Sequence, residues 1–296
     1  MTLTICYFTS RQFPCWHWFF DSLRNEMAGD AGGPIKVVVV DFHRDARPNE
    51  LPANIVHVAP KPCVWQGKHR LTTQDYFAAA NARNTALCLA PDGWIAYVDD
   101  LSVLLPGWLK YVRQAMEENY IVCGAYRKVL GLEVVDGKVV DFVDHPQGHD
   151  SRWNGGSDER AVPKAALFGC SLAGPVESFL AVGGWDESCD GMGYEDTSMN
   201  VCCNKSGYDS RYDRRMMTYE SEELHHVGTP MKRVDKPMTT HKDASHAMID
   251  RVQRTGRAEN AYDIREVRAA VLRGAAFPIP TGPVLHWPDG QNLRTM

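Results

Sequence analysis

The residues whose types and spacing could do chemistry are two pairs of adjacent carboxylates, Asp99-Asp100 and Glu195-Asp196, and one arginine in an alanine-rich stretch, Arg83. Asp99-Asp100 ends the apolar run Trp94-Ile95-Ala96-Tyr97-Val98. Paired carboxylates at the carboxyl end of a buried strand are hard oxygen ligands for Mg²⁺ or Mn²⁺, usually beside a phosphate, and open α/β sheets keep their ligand crevices there. The alternative is a pair of turn aspartates capping the next helix. Arg83 lies in Ala80-Asn81-Ala82-Arg83-Asn84-Thr85-Ala86-Leu87; a cation inside a packed helix needs an anion, whereas on a solvated face it needs none. Glu195-Asp196 follows Gly193-Tyr194 and opens a helix whose amino end tolerates negative charge, so the pair is either a cap or a catalytic group. The polar set Thr9-Ser10-Arg11 ends the first apolar segment, where Arg11 could face a ligand.

These residues must be positioned by strands and helices. Leu3 to Phe8 reads as a first strand, Phe13 to Met27 as a core-facing helix with Trp16, Phe19, Phe20 and Leu23, and Ile35 to Phe42 as a strand covered on both faces, ending in Asp41. Ile55 to Ala59 is a short third strand. Thr72 or Thr73 caps a helix carrying Lys68, Arg70, Arg83 and Asn84 as polar exceptions, which leads into the Asp99-Asp100 strand. Strand, basic helix and carboxylate strand would then assemble a site for metal and diphosphate together. Downstream come a helix from Trp108 to Asn119, a strand from Tyr120, a hairpin turning on Asp136-Gly137, a buried strand from Leu167 to Gly174, a short helix from Val176 to Val182, and a strand from Tyr212 to Tyr219.

The stretch from Ala80 to Leu87, then Gly93 to Asp100, then Leu105-Pro106-Gly107-Trp108-Leu109, resembles the family 2 type glycosyltransferases of GT-A fold in order and spacing. Gly183-Gly184-Trp185-Asp186-Glu187 followed by Gly193-Tyr194-Glu195-Asp196 is similar to a signature shared with the galactosyltransferase-like group. The resemblance covers about residues 3 to 230. It implies an α/β fold of GT-A type, with a mostly parallel twisted central sheet flanked by helices and a small antiparallel element. It also implies a nucleotide-sugar donor, a UDP-sugar first, with Asp41 at the base and Arg83 on the donor; Thr9, Ser10, Arg11, Lys68 and Asp99 are the further candidate donor contacts. By the same resemblance Asp196 is the general base of an inverting transfer, Glu195 a catalytic or acceptor-holding neighbour, and Trp185 either an acceptor platform or a core residue. Asp99 and Asp100 fall on the metal-binding segment for Mn²⁺ or Mg²⁺, but Leu101 stands where its second acidic residue would be. Either Asp100 serves, a ligand comes from elsewhere, or metal dependence is weak; His226, or His225, lies where the family often places a late metal-binding histidine.

Composition bounds the rest. A chain of 296 residues, 44% apolar and 23% charged, can bury a large α/β core, and its net charge of −5 offers no global field for nucleic acid. No apolar stretch reaches 18 residues and the amino terminus lacks a signal-peptide pattern, so we expect no membrane span and a cytoplasmic location. Nine scattered cysteines read as buried thiols. Composition changes after about residue 238: amphipathic helices at 246–255 and 262–273 and a proline-rich tail form a helical appendage over 239–296, for packing, homodimerisation or acceptor choice. The acceptor is a glycan, a small molecule or a modified biopolymer. Two other functions compete: a sugar nucleotidyltransferase, which would want glycines that Thr9-Ser10-Arg11-Gln12-Phe13-Pro14 lacks, and a non-catalytic glycan-binding relative.

Overall fold

The computed structural model describes residues 1–47, 50–62, 78–146, 162–163, 167–190, 194–225, 247 and 249–279. Its elements in order are β1 (Thr2–Thr9), α1 (Trp16–Met27), β2 (Ile35–Asp41), β3 (Val56–Val58), α2 (Ala79–Leu89), β4 (Gly93–Val98), β5 (Ser102–Leu104) and α3 (Trp108–Glu118). Then follow β6 (Ile121–Val129), β7 (Gly131–Val135), β8 (Lys138–Val143), β9 (Val162–Pro163), β10 (Ser171–Pro175), α4 (Val176–Ala181), α5 (Glu195–Lys205), β11 (Ser210–Ser221) and α6 (Glu222–His225). A helix through 249–255, here α7, and α8 (Ile264–Leu272) complete the described chain.

One sheet runs β3-β2-β1-β4-β10-β6-β11-β5, with β9 added against β11. Strands β3, β2, β1 and β4 are parallel, β10 is antiparallel to both neighbours, and β11 is again parallel to β6. This is the mostly parallel, helix-flanked α/β architecture expected, and β7–β8 is the small antiparallel element. The hairpin turns on Asp136 and Gly137, both at positive φ (50° and 71°), as a primed two-residue turn requires.

Direction matters more than strand count. The carboxyl ends of β1, β4 and β11 and the amino end of the reversed β10 all fall on one edge of the sheet. Side chains alternate along β1 between two cores. Cys6 and Phe8 join α2, α4, α5 and α8 on one face, and Leu3, Ile5 and Tyr7 join α1 and α3 on the other. Helix α2 is alanine-rich because it is buried nearly all round, and its amino end is satisfied from afar: the Asp190 carboxylate accepts the N–H groups of Ala80 (2.8 Å) and Asn81 (3.0 Å).

The C-terminal segment packs on this same core, with Val252, Ile264 and Val267 buried among sheet residues. Asp263 caps α8 by accepting from the Arg265 N–H at 2.8 Å. Eight cysteines lie among the described residues, all as free thiols and seven of them buried.

Candidate functional site

At the carboxyl edge the chain places a guanidinium among three carboxylates. Arg83, 2% exposed, comes from the second turn of α2 and sits between the rings of Phe8 and Trp185, 4.9 and 4.5 Å from their centroids. Its Nη2 donates to Asp99 Oδ1 (3.1 Å), and its Nη1 reaches Glu195 Oε1 (3.0 Å) and Asp196 Oδ1 (3.5 Å). The anion that the Ala-rich helix demanded is thus a set of carboxylates from two distant segments. Glu195 and Asp196 stand in the first turn of α5, after Tyr194 in a left-handed conformation. Burial, then the negative charge of Glu195, pushes Asp196 up to about 7, against the pull of Arg83. Gly169 closes the other side: a Cβ there would lie 2.4 Å from Arg83 Cζ and 2.6 Å from Asp196 Oδ1.

Asp100 belongs to a second arrangement. Its Oδ2 accepts from the Thr9 hydroxyl at 3.0 Å and lies 2.9 Å from Arg11 Nε, while Arg11 Nη1 donates to the carbonyl of Leu224 at 3.2 Å. Arg11 therefore links the turn after β4 to the end of α6. Leu101 takes a positive φ of 59°, is 1% exposed, and donates its N–H to the Tyr7 hydroxyl at 3.3 Å. The slot the motif would give to an acidic residue is filled by a hydrocarbon turned into the core.

Asp41 is wholly buried and fully engaged. It accepts from Arg47 Nη2 (2.5 Å) and Nε (3.1 Å) and from the His43 N–H (2.8 Å), and His57 Nε2 lies 2.9 Å from its other oxygen. Arg47 in turn donates to the carbonyls of Arg11 (3.0 Å) and Gln12 (2.7 Å), so Asp41 fixes the loop after β1. Ser10 is buried and its carbonyl lies 3.2 Å from His43 Nε2. Trp185 corrects the acceptor-platform alternative: it has no exposed face, because Arg83, Phe179 and Tyr97 occupy its ring. Lys68 and His226 lie outside the described residues, as does the side chain of His225, whose backbone ends α6.

One residue escaped the sequence reading. Glu220, 2% exposed near the end of β11, is hydrogen-bonded by the Tyr126 hydroxyl and paired in register with Ser102, two residues from Asp100. Burial raises it to about 8, with Asp100 and Asp99 adding to the rise. Its signal was drowned in the acidic run Glu220-Ser221-Glu222-Glu223, which reads as a solvated turn.

Among the described residues, the divalent cation that the resemblance implies finds no ready donor set. Asp99 already carries Arg83 and Asp100 carries Arg11, and among the described residues no three His, Cys, Asp or Glu side chains are arranged to hold one ion. A groove of about 1050 Å³ lies at the opposite edge, where its Asp30 and Arg113 pair with each other at 2.7 Å. No helix among the described residues is long and apolar enough to cross a membrane.

No protein-family model matches the chain, and no curated protein matches it. Among solved structures it is similar to S. aureus TarS residues 1–349, at 12% identity and a TM-score of 0.47 over 86% of this chain and 72% of that one. The same fragment in complex with UDP gives 12% and 0.48 over 85% and 72%, and a longer TarS structure is covered to 43%. A likeness this distant transfers no activity.

Proposed function

We propose that this protein is a glycosyltransferase that moves a sugar from a nucleoside-diphosphate donor, a uridine diphosphate sugar first, to an acceptor hydroxyl with inversion at the anomeric carbon. The observation that supports it is the gathering of Asp99, Glu195 and Asp196 around one buried guanidinium at the edge where Thr9 and Arg11 also meet Asp100. A general base works best with a pKa close to the working pH, and Asp196, raised to about 7, has that property. In the reaction Asp196 accepts the acceptor hydroxyl's proton, the freed oxygen bonds to the anomeric carbon, and the bond to the diphosphate oxygen breaks with its electron pair leaving on the nucleotide. Arg83 keeps Glu195 and Asp196 at one distance from Asp99, the preorganisation that displacement at carbon needs. The Mn²⁺ or Mg²⁺ expected from the sequence enters no step, because Asp99 and Asp100 already carry Arg83 and Arg11.

The division into a catalytic unit over 1–238 and an appendage over 239–296, with dimerisation through the latter, is also part of the proposal. So is a cytoplasmic setting.

The test is a screen of nucleotide sugars for donor hydrolysis, since such transferases leak sugar to water. We expect one donor to turn over, with Asp196→Asn lowering the rate by about 10²–10⁴-fold while nucleotide affinity holds. Glycan binding with no nucleotide binding would favour the non-catalytic reading, and pyrophosphate release from a nucleoside triphosphate the nucleotidyltransferase.

A further inference from the structure

Among the described residues at this edge, Asp99, Asp100, Glu195 and Asp196 each already face a cation supplied by the chain. We propose that the guanidinium groups of Arg11, at Asp100, and Arg83, among Asp99, Glu195 and Asp196, take the positions of a divalent ion, so that the nucleoside diphosphate binds here independently of metal. The inference deepens the transferase reading and rests on it for the identity of the ligand, but not for the absence of a metal site.

Arg11 is placed for this by its backbone as well as its side chain. Its N–H donates to Thr9 Oγ1 at 3.1 Å, and its carbonyl accepts from both Nη atoms of Arg47 at 3.0 Å, which Asp41 anchors from below. Its side chain, 3% exposed, is then held between Asp100 Oδ2 and the Leu224 carbonyl. A guanidinium does not lose its proton in a protein, so it competes for Asp100 at every working pH. An ion entering at Asp100 would have to displace that group and leave a buried charge without its partner. Arg83 is held more firmly still, with three carboxylates and two aromatic faces around a 2% exposed side chain. Leu101 offers no donor at the motif's second acidic position, because its side chain is buried and its backbone turn is tied to Tyr7. His225 follows immediately on Leu224, the residue whose carbonyl Arg11 already holds.

The experiment uses the full chain stripped with chelator. Calorimetry with uridine and guanosine diphosphates, in EDTA and in millimolar Mn²⁺, should give dissociation constants equal within about threefold. In parallel, the electron paramagnetic resonance signal of free Mn²⁺ is followed as the ion is added with and without nucleotide, and it should rise as it does in protein-free buffer of the same nucleotide content. The proposal is overturned if Mn²⁺ tightens nucleotide binding by about tenfold or more, or if the protein takes up Mn²⁺ and the double variant Asp99→Asn, Asp100→Asn abolishes the uptake. Uptake unchanged in that variant puts the ion elsewhere and leaves the proposal standing. If neither nucleotide binds in any condition, the transferase reading falls, while the Mn²⁺ titration still decides whether these aspartates form a metal site. Arg11→Met, checked for folding by its thermal melt, should gain Mn²⁺ uptake that wild type lacks.

Discussion

At the scale of single residues, the site is a contest between burial and one cation. Asp196 is pushed up to about 7 by burial and by Glu195, and Arg83 opposes both. If Asp196 is the base, turnover should rise with pH through an apparent value near 7 and then level off, as a pH–rate profile would record. Replacing Arg83 by Met removes the opposing charge, so any surviving activity should titrate at higher pH, and three carboxylates lose their counterion. We expect that variant to be destabilised by about 3–5 kcal/mol in urea unfolding, the cost of stranding buried charge. Asp99, Asp100 and Arg83 could be picked from the sequence because each breaks an apolar or alanine pattern, and Glu195 and Asp196 because they follow the Gly183-Gly184-Trp185 signature. Their partners could not. That Asp100 takes Arg11, or that Asp41 takes Arg47 and His57, depends on which strands lie side by side, and side-chain type says nothing about that.

At the scale of elements, α2 is the part on which the others register. Asn84, one residue from Arg83, donates to the carbonyl of Trp185 (2.8 Å) and to Glu187 Oε1 (2.8 Å), and accepts from the Trp185 N–H (2.8 Å). Asn84→Ala would strand those buried groups, and we expect a loss of about 3 kcal/mol in urea unfolding. Gly169→Ala tests the opposite face of the site. Its Cβ would overlap Arg83 and Asp196, so catalysis should fall by about tenfold or more, with only about 1–3 kcal/mol lost in stability. Most helices and strands were legible from periodicity, including the hairpin at Asp136-Gly137. Strand β5 was not, because three residues are too few to show a period, and the reversal of β10 leaves no trace in a short buried run.

At the scale of the whole molecule, the C-terminal segment is tied to the loop that follows α4. Asn260 Nδ2 donates to the Gly183 carbonyl at 2.7 Å, the Ala258 N–H donates to the Val182 carbonyl at 2.8 Å, and Arg251 pairs with Asp186. Chains ending near residue 246 should therefore expose Val182 and Phe179 and lose cooperative melting. Stability should also depend on pH with a defined sign. Asp196 and Glu220 hold protons to about 7 and about 8 in the folded chain, whereas an unfolded chain releases them near 3.8 and 4.5. Between those limits the folded state binds more protons, so stability falls as pH rises, and a melting series from pH 5 to pH 8 should show a declining midpoint. Strand β5 carries a last consequence. It begins two residues after Asp100, yet its sheet partner is β11, more than a hundred residues downstream. On the ribosome, a nascent chain that has not yet emerged through residue 221 leaves the turn holding Asp100 and Leu101 unfinished. That edge of the sheet therefore cannot be completed until β11 has been made.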